Sequence, residues 1–317
     1  MRHHDGSWER FDDYVIDFAL DRMRAKEKVA LVTLTGIDGS SPRPLGAQMA
    51  VSENGEWVGY LSGGCVERAV VAEALAALDE GKSRNVRYGR GSKYIDIQLP
   101  CGSAINLFFD VDLSEDALAA IDQSVSHRIP TRMHIPAIID ADMVGETVRQ
   151  YQPRRRLLIF GIGPGAVQLA RMSACSGFDT ILFSPDEGTR HAVDDCGARV
   201  LAVSLRSEIP KLEVDRWSAI AFMFHDHDWE ERLIPAALET DAFYIGAMGS
   251  RRTHQRRIDL LEAQGCNSAM LSRIKGPAGL FAGAKSAADI AISILAEIIA
   301  VEAATRDRSR QRPPHIF

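Results

Sequence analysis

The run Arg156-Leu157-Leu158-Ile159-Phe160-Gly161-Ile162-Gly163-Pro164-Gly165-Ala166 limits the fold of this chain more than any other stretch. An apolar strand passes into G-x-G-x-x-A and then into the helical spacing Val167, Leu169, Ala170, Met172. That is the dinucleotide-binding fingerprint in the context it requires. Gly161 permits the tight turn, while Gly163, with Gly165 beside it, lets a phosphate approach the helix N-terminus. Strand patterns recur at Thr180 to Ser184, Ala198 to Val203, Ala219 to His225 and Phe243 to Met248, with helix-like stretches between several of them. Residues 156–305 therefore read as a Rossmann-like, doubly wound parallel-sheet domain.

Ser184 ends the second strand, where a ribose-binding carboxylate is usual, so Asp186 substitutes from two residues on or the ribose goes unread. His225-Asp226-His227-Asp228 ends the fourth strand and reads as a turn capping the helix from Trp229, with a two-histidine chelate as the alternative. The fifth strand runs into Gly246-Ala247-Met248-Gly249-Ser250-Arg251-Arg252, a glycine turn with a hydroxyl and two guanidiniums suited to an anion. Its alternative is a basic helix face continued by Arg256 and Arg257. Gly276-Pro277-Ala278-Gly279-Leu280 breaks the chain, and Ser286 caps an apolar helix with Glu297 in its middle, read as solvent-facing or as part of a site or interface. Residues 306–317 read as a disordered tail.

Residues 1–140 read as a mixed α/β domain, and 141–155, with Gly145, Pro153 and three arginines, as a linker. A helical face from Phe11 to Ala19 precedes a buried strand, Val29 to Gly36. Gly39-Ser40-Ser41-Pro42-Arg43-Pro44-Leu45-Gly46 reads as a binding loop, with Ser41 and Arg43 available to an anion, or as a rigid surface loop. A hairpin, Gln48 to Leu61, turns at Asn54-Gly55 and delivers the chain to Ser62-Gly63-Gly64-Cys65-Val66-Glu67. A helix pattern follows at once, so Cys65 stands where strand hands over to helix, and a thiol there ionises below the roughly 8.5 of free cysteine. The same position also fits a buried structural cysteine after a tight turn. Strand patterns at Arg84 to Tyr88 and Tyr94 to Leu99 lead to a second cysteine turn, Pro100-Cys101-Gly102-Ser103, and to the strand Ala104 to Phe109. Ser114 then caps a helix to Val125, and Thr131 to Ile139 reads as another strand.

With 317 residues and 46% hydrophobic content the chain can build two cores. Its net charge of −6 and lack of a long basic run argue against nucleic acid as the main partner. Polar Met1 to Arg10, with His3 and His4, does not read as a signal peptide, and no apolar run reaches membrane-spanning length, so the cytoplasm is expected. Five cysteines without a C-x-x-C pair argue for reduced thiols rather than a disulfide framework or a structural zinc site.

Taken together, Gly39 to Arg43, Ser62 to Glu67, Pro100 to Gly102, the Gly161 turn, Tyr244 to Arg252, Gly276 to Leu280 and Ile290 to Glu297 resemble the xanthine dehydrogenase accessory family, the XdhC/CoxI-type proteins. The resemblance covers nearly the whole chain. It departs at Ser103, where a second glycine is usual, at Pro164, where histidine is frequent, and at Ser184, where aspartate is common. It implies a maturation factor, more an insertion chaperone than a turnover enzyme, that binds molybdenum cofactor (molybdopterin, free or as a dinucleotide). It further implies sulfuration with a cysteine desulfurase and delivery to an apo molybdenum hydroxylase of the xanthine, aldehyde or CO dehydrogenase type. On this reading Cys65, Cys101 and Glu67 carry the chemistry, with Cys65 a candidate molybdenum contact and no other metal ligand assigned. Ser41, Arg43, Gly63, Gly64, Gly161, Gly163, Gly165, Asp186, Gly249, Ser250, Arg251 and Arg252 would bind the cofactor. The competing readings are an NAD(P)-dependent oxidoreductase and a scaffold between the desulfurase and the apo-dehydrogenase. The apolar terminal helix is compatible with a homodimer.

Overall fold

A computed structural model describes residues 7–10, 12–64, 66–92, 102–140, 143–204, 212–224, 227–281 and 283–311. Packing divides the chain into two compact units, Met1–Pro153 and Arg154–Phe317.

The first unit is built on strand β1 (Val29–Asp38), whose side chains are buried on both faces over its first seven residues. A strand of that kind belongs inside a sheet covered on both sides. It pairs antiparallel with β2 (Gln48–Ser52), and β3 (Trp57–Gly59) closes the hairpin on β2 across the Asn54-Gly55 turn. On its other edge β1 pairs antiparallel with β5 (Ala104–Asp110), which carries β4 (Arg84–Gly89), giving the order β3-β2-β1-β5-β4. Helix α2 (Glu67–Glu80) buries Val70, Ala74, Ala77 and Leu78 against Ala30, Val32 and Leu34 on one face. Helices α1 (Ile16–Arg24) and α3 (Glu115–Ser126) cover Val29 and Leu31 on the other. Ser114 accepts from Ala117 N at 3.2 Å and starts α3.

Strand β6 (Thr131–Asp140) pairs with β7 (Met143–Tyr151) in a separate two-stranded ribbon. The stretch 141–155, expected as a linker, is thus mostly strand. Its exposed Glu146, Val148 and Gln150 alternate with Thr147, Arg149 and Tyr151 at the period of two that Gly145 and Pro153 obscure. The expected strand Tyr94 to Leu99 lies outside the described residues.

The second unit is the parallel, doubly wound sheet that the glycine fingerprint specifies. Its order is β10-β9-β8-β11-β12-β13, with β8 (Arg156–Gly161), β9 (Asp179–Ser184), β10 (Arg199–Ala202), β11 (Ser218–Met223), β12 (Tyr244–Ala247) and β13 (Ile274–Lys275). Helices α4 (Pro164–Cys175) and α9 (Ala287–Gln311) bury Leu169, Ala170, Ile294 and Ile298 on Leu157, Ile159 and Ala221. On the opposite face α6 (His227–Leu238) and α7 (Arg251–Ala263) pack Leu233, Ile234 and Leu261 on Leu158, Phe160 and Phe222. The Phe160 ring stacks on Phe183 at 4.5 Å and on Phe222 at 5.5 Å, tying three strands together. Short helices α5 (Glu187–His191) and α8 (Ser268–Leu271) complete the unit. The α9 backbone continues past 305 to Gln311, where a disordered tail was expected. No helix among the described residues is long and apolar enough to cross a membrane.

Candidate functional site

Antiparallel pairing gathers the first unit's candidate loops at one end of its sheet. The pairs Thr33 with Gln48, Met49 with Gly59, Asp38 with Ala104 and Gly89 with Ala104 put the loop 39–47, the turn after Gly59 and the approach to β5 side by side. A Cβ on Gly39 would lie 3.1 Å from the Ser103 Cβ, so the serine loop rests on the chain entering β5. Cys65 and Cys101 themselves lie outside the described residues; Gly64, Val66 and Gly102, which flank them in sequence, are within.

Glu67 organises the Ser62–Val66 loop. Its side chain is 3% exposed. Oε1 accepts from Leu61 N at 3.2 Å, Ser62 N at 2.8 Å and Ser62 Oγ at 3.0 Å, while Oε2 accepts from Ser62 Oγ at 2.8 Å and Val66 N at 3.2 Å. A carboxylate in the first turn of α2 also complements the helix dipole. Both oxygens are committed, so Glu67 positions the loop. Gly64 has φ +103°, a conformation that demands glycine. Gly63 has no such requirement, and a Cβ there would meet no atom of the described residues within 4 Å. The loop is therefore tied down from inside and open above its glycines.

Arg43 sits beside this loop. Its Nη1 donates to the Tyr60 hydroxyl at 2.9 Å, its guanidinium lies 4.0 Å from the Tyr60 ring centroid, and Nη2 pairs with the Asp13 carboxylate. Ser41 Oγ accepts from Arg43 N at 3.2 Å and fixes the turn.

In the second unit the strand order reverses between β8 and β11, which opens the crevice where doubly wound sheets take ligands. A Cβ on Gly161 would fall 2.5 Å from the Met223 Cβ, so glycine is needed for β8 and β11 to close. Gly163 N donates to Thr189 Oγ1 at 2.9 Å, and Asp186 Oδ2 accepts from Thr189 Oγ1 and Thr189 N, each at 2.6 Å. Those bonds hold the Asp186 carboxyl below its ordinary pKa. Asp186 is thus the cap of α5, and the glycine-turn amide is satisfied within the chain. Ser250 caps α7 by accepting from Thr253 N at 3.1 Å. Arg251 and Arg252 are exposed in the first turn of that helix, with no ion-pair partner among the described residues. Cations there oppose the helix dipole, and a bound anion would relieve the conflict.

Comparison with known proteins decides the family. The XdhC Rossmann domain model matches residues 157–298, and the XdhC and CoxI family model matches residues 22–89. The molybdenum cofactor insertion chaperone PaoD of Escherichia coli (strain K12) is 32% identical over 308 residues, which cover 92% of this chain and 89% of PaoD. This chain belongs to the XdhC and CoxI family. A probable xanthine dehydrogenase component of Bacillus subtilis (strain 168) is 24% identical, across 86% of this chain and 93% of that protein. The crystal structure of a xanthine dehydrogenase from Bacillus halodurans superposes with a TM-score of 0.75 over 94% of this chain and 98% of that one; at 22% identity it shows the shared fold.

Within this XdhC and CoxI family member, two side chains have contacts that local sequence patterns did not reveal. Glu297 on α9 accepts from the Tyr244 hydroxyl at 2.7 Å and from Gly279 N at 2.8 Å, so it anchors the Gly276–Leu280 loop at the carboxyl end of the sheet. Arg257, read as part of a basic face, is 4% exposed and donates to Glu230 through Nε at 2.7 Å and Nη2 at 2.9 Å, and to the Met248 carbonyl at 2.8 Å. The spacing to buried Leu261, four residues on, was the available signal. His225 and Asp226 lie outside the described residues.

Proposed function

We propose that this chain is a molybdenum-cofactor chaperone: it takes the cofactor as cargo, supports its sulfuration with a cysteine desulfurase, and hands it to an apo molybdenum hydroxylase of the xanthine, aldehyde or CO dehydrogenase type. The observation that carries this reading is the loop Ser62–Val66, clamped from below by Glu67 and open over Gly63 and Gly64. A pterin dithiolene needs close backbone approach and a soft sulfur donor, and Cys65 follows the open glycines in sequence. Cys101 is the second sulfur in this assignment, next to Gly102 and the Ser103 that Gly39 rests on. Glu67 orients the loop rather than reacting. Within the first unit Arg43, with Ser41 shaping its turn, supplies a cationic contact for phosphate; within the second, Arg251 and Arg252 at the α7 N-terminus are a separate cationic patch suited to an anion.

The relative named a molybdenum cofactor insertion chaperone supports the same cargo. The internal bond from Gly163 N to Thr189 and the capping role of Asp186 leave less for a nicotinamide dinucleotide to use. A cytoplasmic homodimer through the outer face of α9, where Ile292 and Ile299 are exposed, belongs to this reading.

Equilibrium binding of molybdenum cofactor and of NAD(P)H to the purified chain tests it. Cofactor binding that weakens in Cys65→Ala, with the fold intact and no nicotinamide binding, is the expected result. Nicotinamide binding without cofactor binding would replace the chaperone by an oxidoreductase, and binding of neither would leave a scaffold.

A further inference from the structure

Strand β7 holds Arg149 between two residues that anchor the ribbon to the first unit's sheet. Thr147 Oγ1 donates to the Thr35 carbonyl at 3.2 Å, and the Tyr151 hydroxyl donates to Gln48 Oε1 at 2.7 Å. Arg149 shares their side of the strand, while Glu146, Val148 and Gln150 are exposed. A guanidinium offers five N–H donors and never gives up its charge. Among the described residues, Arg149 makes one long hydrogen bond, from Nη2 to the Asp13 carbonyl at 3.4 Å, and its Nε is buried with no acceptor.

A second guanidinium stands close by. Arg43 pairs with the carboxylate of the same Asp13, and its Nε is likewise buried without an acceptor. The groups facing the pair are Asp13, with a side chain 64% exposed, and the rings of Tyr60 and Tyr151. Burial pushes the Tyr151 phenol up to about 12, so it supplies no negative charge near neutrality. Among the described residues, one carboxylate therefore faces two cations. Burial, reinforced by the Arg43 charge, pulls the Arg149 guanidinium below its ordinary pKa. Half-buried donors left unmade are costly, and a cation placed inward without a partner is costlier still. The loop nevertheless closes on this side chain: a Cβ at Gly46 would lie 3.4 Å from the Arg149 Cδ.

We infer that Arg43 and Arg149 together form an oxyanion site for the phosphoryl group of a small molecule, at the end of the sheet that carries the Ser62–Val66 loop. Two guanidinium forks with open donors match a tetrahedral oxyanion, whose charge balances the surplus cation. The inference deepens the chaperone reading, in which the phosphoryl group belongs to the cargo.

The test is the thermal midpoint of the full chain at low ionic strength, with inorganic phosphate and separately with adenosine monophosphate, for the native protein, Arg149→Met and Arg149→Lys. The native midpoint rises with at least one of the two, as any ligand of the folded state requires. Arg149→Met matches or exceeds the native midpoint without anion and shows no rise. Arg149→Lys keeps the charge but loses the fork, and binds about tenfold more weakly. A rise with inorganic phosphate alone marks a site for the free anion, and a rise with both marks one that accepts phosphate esters. No rise in the native chain, an undiminished rise in Arg149→Met, or a large loss of stability in Arg149→Met without anion would each overturn the assignment. Phosphate binding without molybdenum-cofactor binding would remove the cargo reading and leave this site; the converse would remove this site and leave the cargo reading.

Discussion

Glu67 shows how one side chain can hold a loop from inside. Its two oxygens satisfy three backbone N–H groups on both sides of the glycine pair. Glu67→Ala leaves those donors buried and unmade, at a cost of about 1–3 kcal/mol, and is expected to lower the urea midpoint and weaken cofactor retention together. Gly63→Val separates the two effects. No atom of the described residues stands within 4 Å of the added Cβ, so stability should hold while cofactor binding falls; unchanged binding would count against ligand approach over this glycine. His254 gives a pH signature. Burial, then the Arg257 charge, hold its imidazole below the ordinary 6.5. The unfolded chain then binds a proton that the native ring resists, so this contribution is complete above the unfolded pKa and is lost as pH falls toward the lower folded value. Urea midpoints at about pH 7.5 and about pH 5.5 should diverge more for the native chain than for His254→Gln, and equal divergence would exclude the ring as the source. Cys65 and Glu67 were both legible as part of one motif. Which of them clamps the loop was not, because that depends on where the carboxylate points.

Helices α6 and α7 are joined by a buried ion pair, Glu230 with Arg257, with side chains 3% and 2% exposed. Breaking such a pair strands a charge, so Arg257→Ala is expected to cost about 3–5 kcal/mol, whereas Glu230→Leu with Arg257→Met should recover most of it. Thermal unfolding of the three chains decides the matter: a double variant as unstable as the single would show that the pair, not the stranded charge, carries the stability. At the start of α7, Ser250→Ala removes the cap on Thr253 N and should cost about 1 kcal/mol. Elements were readable where periodicity and turn chemistry agree, as in the hairpin at Asn54-Gly55 and the strand before Gly161. β7 was missed because its glycine, its nearby proline and its charges read as loop, while its partner β6 supplies the pairing that makes it a strand.

The molecule keeps its cores apart. Each of the four hydrophobic clusters draws its residues from one unit only among the described residues. Residues 1–153 and 154–317, expressed separately, are therefore expected to unfold cooperatively in urea; a non-cooperative transition in either would show that it needs the other. Local signals settled the doubly wound sheet, the positions of most of its strands, the caps at Ser114 and Ser286, and the family, because glycine turns, apolar periods and capping residues act over a few neighbours. Tertiary structure alone decided which charges are satisfied. Glu67 turns back into its own loop, Arg257 finds Glu230 27 positions away in the chain, and Arg149 meets Asp13 136 positions away with most of its donors still open among the described residues. Charge pairing depends on distances that the fold creates, and no period in the sequence encodes them.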